Sequence, residues 1–350
     1  MDRLKSILLV VFAAVFTVSV GLPVANVSAE GSAALSIVPK KNYTVEPGKS
    51  VDDTLTIRNL DYAKPLNLNL RVVDFTYTND SGTPKLMLDE DAPQTTWSLK
   101  PFLTVPKKVS IDPGASQTVD MNVSIPSGHG AGSYYSAIVY SSASSDGGNV
   151  GLSASGVTLV FTSIPGKVKE NLVLEKLGAY DDAVRNYSYF NTEQPDKIAY
   201  TLKNEGNVTE SPVGTITLKN IFGHEVTIND INPNSSLALI GQTRTFEACI
   251  KLASEEVNFN GSRTEATTCT KPGLWPGYYS VVLDAFYGQN GNATRDLDGK
   301  AGFWYLPWWF VALVVVVLLF ASYHIWRVVR FIRGRRSPSM GRSKKRSSRR

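Results

Sequence analysis

Between Ala301 and Trp326 the chain carries no charged side chain, and from Phe310 to Ala321 it reads Phe-Val-Ala-Leu-Val-Val-Val-Val-Leu-Leu-Phe-Ala. About 20 such residues in a helix cross a hydrocarbon layer of about 30 Å, so residues 301–326 predict a transmembrane α-helix. Phe303, Trp304, Tyr305, Trp308 and Trp309 crowd one end of the run and Tyr323 and Trp326 the other. Amphipathic rings collect in this way at headgroup level. Pro307 suits the first turn, where its missing N–H would be unpaired in any case. A buried helix of a soluble domain would share the apolar run, but not the eleven Lys or Arg, unaccompanied by any acid, that follow from Arg327 to Arg350.

The other end of the chain is also apolar. Arg3 and Lys5 precede an apolar run from Ile7 to Val20 and then Val27-Ser28-Ala29, the layout of a secretory signal peptide over residues 1–29. With export at one end and a stop-transfer helix at the other, charge is best counted by compartment. Setting aside Asp2, Arg3, Lys5 and the tail leaves 23 basic and 30 acidic residues between Glu30 and Gly302, against the tail's eleven cations. The positive-inside rule then puts the C-terminus in the cytoplasm and the acidic part outside. An acidic ectodomain is not a nucleic-acid binder. The tail, 327–350, is too polar to bury a core and is expected to be disordered. Its cations suit anionic lipid, each contributing about 1 kcal/mol near the surface.

The intervening residues read as strands. Leu66, Leu68, Leu70 and Val72 alternate with polar residues, as do Val119, Met121, Val123 and Ile125, a period of two that buries one face. Tyr134–Tyr140 and Val157–Phe161 are apolar on nearly every position, as in strands covered on both sides. Turns are marked at Pro47-Gly48, Ser81-Gly82, Pro113-Gly114, Pro165-Gly166 and Pro276-Gly277. This pattern predicts an all-β chain of two tandem immunoglobulin-like antiparallel β-sandwiches, 30–166 and 167–300, followed by the one helix. An internal repeat supports the division: Thr56-Ile-Arg-Asn59 matches Thr201-Leu-Lys-Asn204, and Gly132-Ser-Tyr-Tyr-Ser136 matches Gly277-Tyr-Tyr-Ser280. Asn59 precedes Gly132 by 73 residues, and Asn204 precedes Gly277 by the same 73.

Cys249 and Cys269 form an even pair on the oxidising side of the membrane, which reads as a structural disulfide. Closing a loop of about 20 residues stabilises by on the order of 3 kcal/mol. Catalytic and metal-binding sets are missing: the three histidines are His129, His224 and His324, and no His-x-x-x-His, Cys-x-x-Cys, Gly-x-Ser-x-Gly or phosphate-cradling loop occurs. No cofactor, metal site or catalytic residue is therefore expected. Asp89-Glu-Asp91 and Asp296-Leu-Asp298-Gly299 are carboxylate clusters; the second faintly resembles a calcium loop but lacks further oxygen ligands, so a solvated turn is the simpler reading. Asn-x-Ser/Thr triplets stand at Asn42, Asn79, Asn122, Asn186, Asn207, Asn234, Asn260 and Asn292. They are sugar acceptors in a eukaryotic secretory protein and composition otherwise. Tyr134, Tyr135, Tyr278 and Tyr279 read as core, with sugar platforms as the alternative.

Val45-Glu-Pro-Gly48, Leu55-Thr-Ile-Arg-Asn59, Val73-Asp-Phe75, Gly82-Thr-Pro84, Trp97-Ser-Leu99, Val109-Ser-Ile-Asp-Pro-Gly114, Val123-Ser-Ile-Pro126 and Gly132-Ser-Tyr-Tyr-Ser136 together resemble the N-terminal sandwich of the WxL-interacting cell-surface proteins of Gram-positive bacteria. Their order of signal peptide, two sandwiches, helix and basic tail is similar to that of the whole chain. The sequence resemblance covers residues 34–166, while the Cys249–Cys269 pair lies outside the family pattern. It implies a first sandwich that binds peptidoglycan and a second that docks WxL-bearing surface proteins. It carries over no ligand residue. The expectation is a non-enzymatic, single-pass surface protein that binds cell-wall polymer or another surface protein. A sensor or secretion accessory acting through the tail, and a cell-wall hydrolase, are the alternatives.

Overall fold

The computed structural model describes residues 35–89, 91–142, 154–259, 262–288 and 294–335. Residues 1–29, read above as a signal peptide, the tail beyond Arg335, Asn260 and Asn292 lie outside the described residues. In the first sandwich the strands are β1 (Leu35–Ser36), β2 (Lys40–Thr44), β3 (Ser50–Asn59), β4 (Leu66–Val73), β5 (Phe75–Tyr77), β6 (Pro84–Leu86), β7 (Leu103–Thr104), β8 (Lys108–Ile111), β9 (Ser116–Ser124), β10 (Gly132–Ser142) and β11 (Ala154–Ile164). In the second they are β12 (Leu172–Asp181), β13 (Asn186–Tyr187), β14 (Phe190–Asn191), β15 (Lys197–Asn204), β16 (Val213–Asn220), β17 (Glu225–Ile228), β18 (Thr243–Cys249), β19 (Leu252–Phe259), β20 (Ser262–Cys269), β21 (Gly277–Tyr287) and β22 (Arg295–Tyr305).

Each unit is an immunoglobulin-like sandwich of two sheets. The first pairs β1-β3-β9-β7 with β2-β11-β10-β4-β8, and the second pairs β13-β12-β15-β18 with β14-β22-β21-β16-β17. The two five-stranded sheets have the same order of connection, down to an edge strand that runs parallel to its neighbour, β2 beside β11 and β14 beside β22. The repeated sequence positions fall on equivalent places. Asn59 and Asn204 are both buried at the ends of β3 and β15. Each accepts on Oδ1 the N–H two residues ahead, from Asp61 and Gly206, and donates Nδ2 to loop carbonyls. The repeat is thus an asparagine that satisfies a buried turn, which a hydrophobic residue cannot do. Gly132 and Gly277 both open strands at positive φ, +152° and +136°, and a Cβ on Gly132 would stand 2.8 Å from the carbonyl oxygen of Asn207.

Alternation builds the two main cores. Leu55 and Ile57 of β3, Leu66, Leu68 and Leu70 of β4, and Val119, Met121 and Val123 of β9 fill the first. Tyr200 and Leu202 of β15 and Val281 and Leu283 of β21 fill the second. Strand β10 is buried along almost its whole length because its two faces enter different cores: Ile138 and Tyr140 point into the first sandwich, whereas Tyr135, Ala137 and Val139 point away from it. The outer face is covered from the second sandwich. The segment between β17 and β18 lays Leu237, Leu239 and Ile240 against Val73, Phe75, Tyr135, Ala137, Val139 and Phe161.

Polar contacts tie the same junction. Hairpin β5–β6 reaches the edge of β18: the Tyr77 N–H donates to Gln242 Oε1 at 2.9 Å, the Tyr77 hydroxyl donates to the Leu237 carbonyl at 2.8 Å, and Arg244 Nη1 donates to the Tyr77 oxygen at 2.8 Å. Thr245 donates its N–H to the Asp80 carbonyl at 2.6 Å and its hydroxyl to Asp80 Oδ2 at 2.8 Å. Asn207 donates Nδ2 to Ala131 O at 3.1 Å and accepts the Lys169 N–H at 2.7 Å. The two sandwiches are therefore joined by a shared apolar core as well as by a linker.

The C-terminal boundaries differ from the sequence expectation. Residues 301–305 are not helix: they complete β22, in register with β21 through Gly277 opposite Tyr305. Phe303 and Tyr305 are buried in the second core rather than lying at a membrane surface. An uncharged run does not distinguish a buried strand from a spanning helix, and the break falls at Leu306-Pro307. Helix α1 runs Trp308–Arg335, so Arg327–Arg335, expected to be disordered, is helical. Its Arg327, Arg330 and Arg333 stand past the apolar centre of the helix. Residues Trp308–Arg333 have a mean hydropathy of 2.2 in their most apolar window, none of it buried in the protein. At 1.5 Å per residue these 26 residues measure about 39 Å, long enough to cross a membrane.

Candidate functional site

The cleft between the sandwiches is a concave site to which both units contribute several strands or loops. It encloses about 300 Å³ and is lined by Asn42, Tyr43 and Thr44 of β2, Phe161, Thr162 and Ser163 of β11, Ser133 of β10, and Thr209, Glu210, Ser211 and Leu237 of the second sandwich. The linker contacts that hold Asn207 also fix its floor: Thr209 donates its N–H to Ser133 Oγ at 3.0 Å. Glu210 is buried and accepts the Gly288 N–H at 3.2 Å. Thr162 is 1% exposed and its Oγ1 has no hydrogen-bond partner among the described residues. On β11 it shares the inward face with Val160 and Ile164, so its hydroxyl points into the first core and only its backbone borders the cleft.

Strand β2 forms the cleft's outer wall and has no strand on its far edge among the described residues. Side chains on the strand bridge the two sheets of the first sandwich: Lys41 Nζ and the Tyr43 hydroxyl both donate to Asp53 Oδ2, at 2.6 and 2.5 Å. These hydrogen bonds, Lys41 first and Tyr43 second, hold the Asp53 carboxyl at about 2. Burial and then the bond to Asp53 push the Tyr43 phenol upward. Lys40 Nζ sits 5.3 Å from the centre of the Phe161 ring. Burial lowers its pKa, and the positive charge of Arg244 lowers it further. The cleft thus combines hydroxyls, one amide, one aromatic ring and an adjoining cation. Such a set can hydrogen-bond and stack a polar chain; it contains no nucleophile held against a base.

The residues singled out from sequence lie elsewhere. Cys249 and Cys269 are joined by a disulfide with Cα atoms 5.2 Å apart, at the base of the β19–β20 hairpin, where Leu252 pairs with Cys269. The segment between the cysteines, read as a loop, is that hairpin. Asp296 and Asp298 do not form a turn: they sit on β22 with Leu297 buried between them, and Asp298 faces Asp284 across the strands. Asp89 caps a turn by accepting the Asp91 N–H. Among the described residues no group of three or more His, Cys, Asp or Glu is placed to hold a metal ion. Tyr135 and Tyr279 are fully buried. Tyr134 packs on His129 and Tyr278 on Trp304. Of the Asn-x-Ser/Thr sites, Asn207 is committed to the junction and Asn42 faces the cleft.

Thr162, Glu210 and Leu237 were not marked by any motif. The available signal was Leu237-Ala-Leu-Ile240, four apolar residues inside a segment otherwise rich in Asn, Pro and Ser, which needs a surface to cover it.

No protein-family profile and no curated protein sequence matches the chain. Solved structures with a similar build include the class 5 fimbriae chaperone CfaA, 13% identical, covering 76% of this chain and 98% of that one with a TM-score of 0.32. The E. coli chaperone DraB is 13% identical, with coverages of 77% and 98% and a TM-score of 0.31. A chain from the complex of the Salmonella enterica SafA pilin with the SafB chaperone is 7% identical, with coverages of 77% and 95% and a TM-score of 0.31. These likenesses concern fold alone.

Proposed function

We propose that this chain is a non-enzymatic, single-pass cell-surface binding protein that holds a cell-wall polymer in the cleft between its sandwiches, with α1 as anchor and the basic tail in the cytoplasm. The observation that carries the reading is the cleft itself: two domains locked by a shared core present a site lined by the hydroxyl residues Thr44, Ser133, Ser163, Thr209 and Ser211, with Asn42 and the Phe161 ring beside them. Sugar and peptide units of a wall polymer offer the complementary hydrogen-bonding groups and apolar faces. The resemblance of residues 34–166 to the WxL-interacting proteins supports the same ligand class, and the cationic tail supports the orientation.

Purified sacculi, stripped of protein, test it. Full-length protein in nanodiscs should be retained on them, and the double variant Asn42→Ala/Thr44→Ala, at exposed positions of the cleft wall, should bind about 30-fold more weakly, since two hydrogen bonds at about 1 kcal/mol each are lost. Retention that does not change in the double variant would remove the cleft from the account.

A second reading rests on the free edge of β2. An extended segment of a surface protein, such as a WxL-bearing partner, can add to such an edge through backbone hydrogen bonds. Retention on an untreated surface-protein fraction, lost after proteinase treatment and absent on stripped sacculi, would favour that reading over a wall ligand.

A further inference from the structure

Among the exposed large apolar side chains of the second sandwich, five fall into one group: Tyr189 52%, Phe190 67%, Ile221 59%, Phe222 63% and Trp275 56%. They come from three separate loops, yet the strand register brings all of them to one end. Phe190 and Asn191 run beside Trp304 and Tyr305. Gly277, two residues after Trp275, faces Tyr305. Asn220, just before Ile221 and Phe222, faces Tyr279, and a Cβ on Gly277 would stand 3.4 Å from Phe222. This is the end at which the chain leaves β22 for α1.

Only Leu306 and Pro307 separate β22 from α1, and two residues span at most about 7 Å. The joint is held at both sides. The Leu306 N–H donates to Asn191 O at 2.8 Å, and the Phe310 and Val311 N–H groups donate to Pro307 O at 2.9 and 3.1 Å. The headgroup layer on each side of the hydrocarbon is about 5–8 Å thick. An end tied this closely to the first turn of a spanning helix lies in or on that layer. Trp308 and Trp309, 74% and 62% exposed at that first turn, continue the same apolar surface.

We infer that the loops bearing Tyr189, Phe190, Ile221, Phe222 and Trp275 form a lipid-contact rim that seats the second sandwich in the outer headgroup layer of the bilayer. The rim uses rings and one aliphatic side chain at the depth where amphipathic aromatics are favoured. It fixes the tilt of the second sandwich and, through the shared core, of the first. The cleft is then presented at a set height instead of swinging on a flexible stalk. This inference rests on α1 crossing the membrane and is independent of what the cleft binds.

The test places a nitroxide at Phe222→Cys in the full chain, reconstituted in phosphatidylcholine–phosphatidylglycerol nanodiscs; the native cysteines are joined to each other and do not react. Tyr62→Cys, a 75% exposed position on the first sandwich, is the reference, and Phe190→Cys repeats the measurement on a second loop. Collision with oxygen should exceed collision with a water-soluble nickel chelate several-fold at Phe222 and Phe190, with the order reversed at Tyr62. Water-like accessibility at Phe222 and Phe190 in incorporated protein would overturn the rim while leaving the anchor standing. Shelter from both reagents would overturn it in favour of a protein contact. Failure of the chain to enter discs at all would overturn the anchor and the rim together.

Discussion

Replacing Leu239 by alanine should uncouple the two sandwiches. Leu239 is fully buried, it belongs in sequence to the second sandwich, and it packs among Val73, Phe75, Tyr135 and Phe161 of the first. Truncating a buried leucine costs about 2–5 kcal/mol through lost transfer energy and the cavity left behind. Here the loss falls on the junction and not on either main core. Unfolding entropy of about 2.1 cal/mol/K per residue over about 270 residues makes 3 kcal/mol equivalent to about 5 °C. Leu202→Ala, in the second core and likewise fully buried, should cost a similar amount by the same mechanism. The two variants differ in cooperativity. Scanning calorimetry of the full chain in nanodiscs should give one transition for the parent protein, one displaced transition for L202A, and two resolved transitions for L239A. If L239A and L202A gave the same single displaced transition, or if L239A moved it by less than about 1 °C, the shared core would not be what holds the sandwiches together.

Removing the disulfide with Cys249→Ala/Cys269→Ala opens a loop of sequence separation 20 and should lower stability to denaturant by about 3 kcal/mol on the chain-entropy account. A loss below about 1 kcal/mol would mean that pairing of β19 with β20 already closes the loop. Asp53 supplies a pH dependence: its folded pKa of about 2 lies below the unfolded value of about 4. Its stabilising effect is therefore complete above about pH 4 and is lost as pH falls toward 2. With its side chain 34% exposed, solvent screening keeps the effect below about 1 kcal/mol. Asp53→Asn should flatten the acid limb of a denaturation-midpoint profile between pH 4 and 2 and leave its alkaline side unchanged; an unaltered acid limb would contradict the assignment.

Much of the fold can be read from period and punctuation. Alternation in Leu66–Leu70 and Val119–Ile125 marks half-buried strands because the side-chain period of a strand leaves no other way to bury one face. The equal spacing of Asn59 to Gly132 and Asn204 to Gly277 reflects a duplicated topology, since both asparagines close the same kind of buried turn. The candidate cleft was not legible in this way. Its lining comes from strands far apart in the chain, and hydroxyls such as Thr162 and Ser133 look alike in sequence whether they face solvent, a core or a ligand.

Residue order alone determines that there is an apolar span followed by cations, a strand-rich segment before it and one pair of cysteines, because these follow from local composition and from the solvent each stretch can tolerate. Tertiary structure decides where the uncharged run divides: Phe303 and Tyr305 go into a protein core because β21 and the second sandwich are there to receive them, and only from Trp308 is there no protein surface to cover the chain. It likewise decides that the outer face of β10 is covered by Leu237, Leu239 and Ile240, and that three loops bring their exposed rings to one end. Each of these outcomes depends on which surface a side chain meets, and that partner lies tens of residues away in sequence.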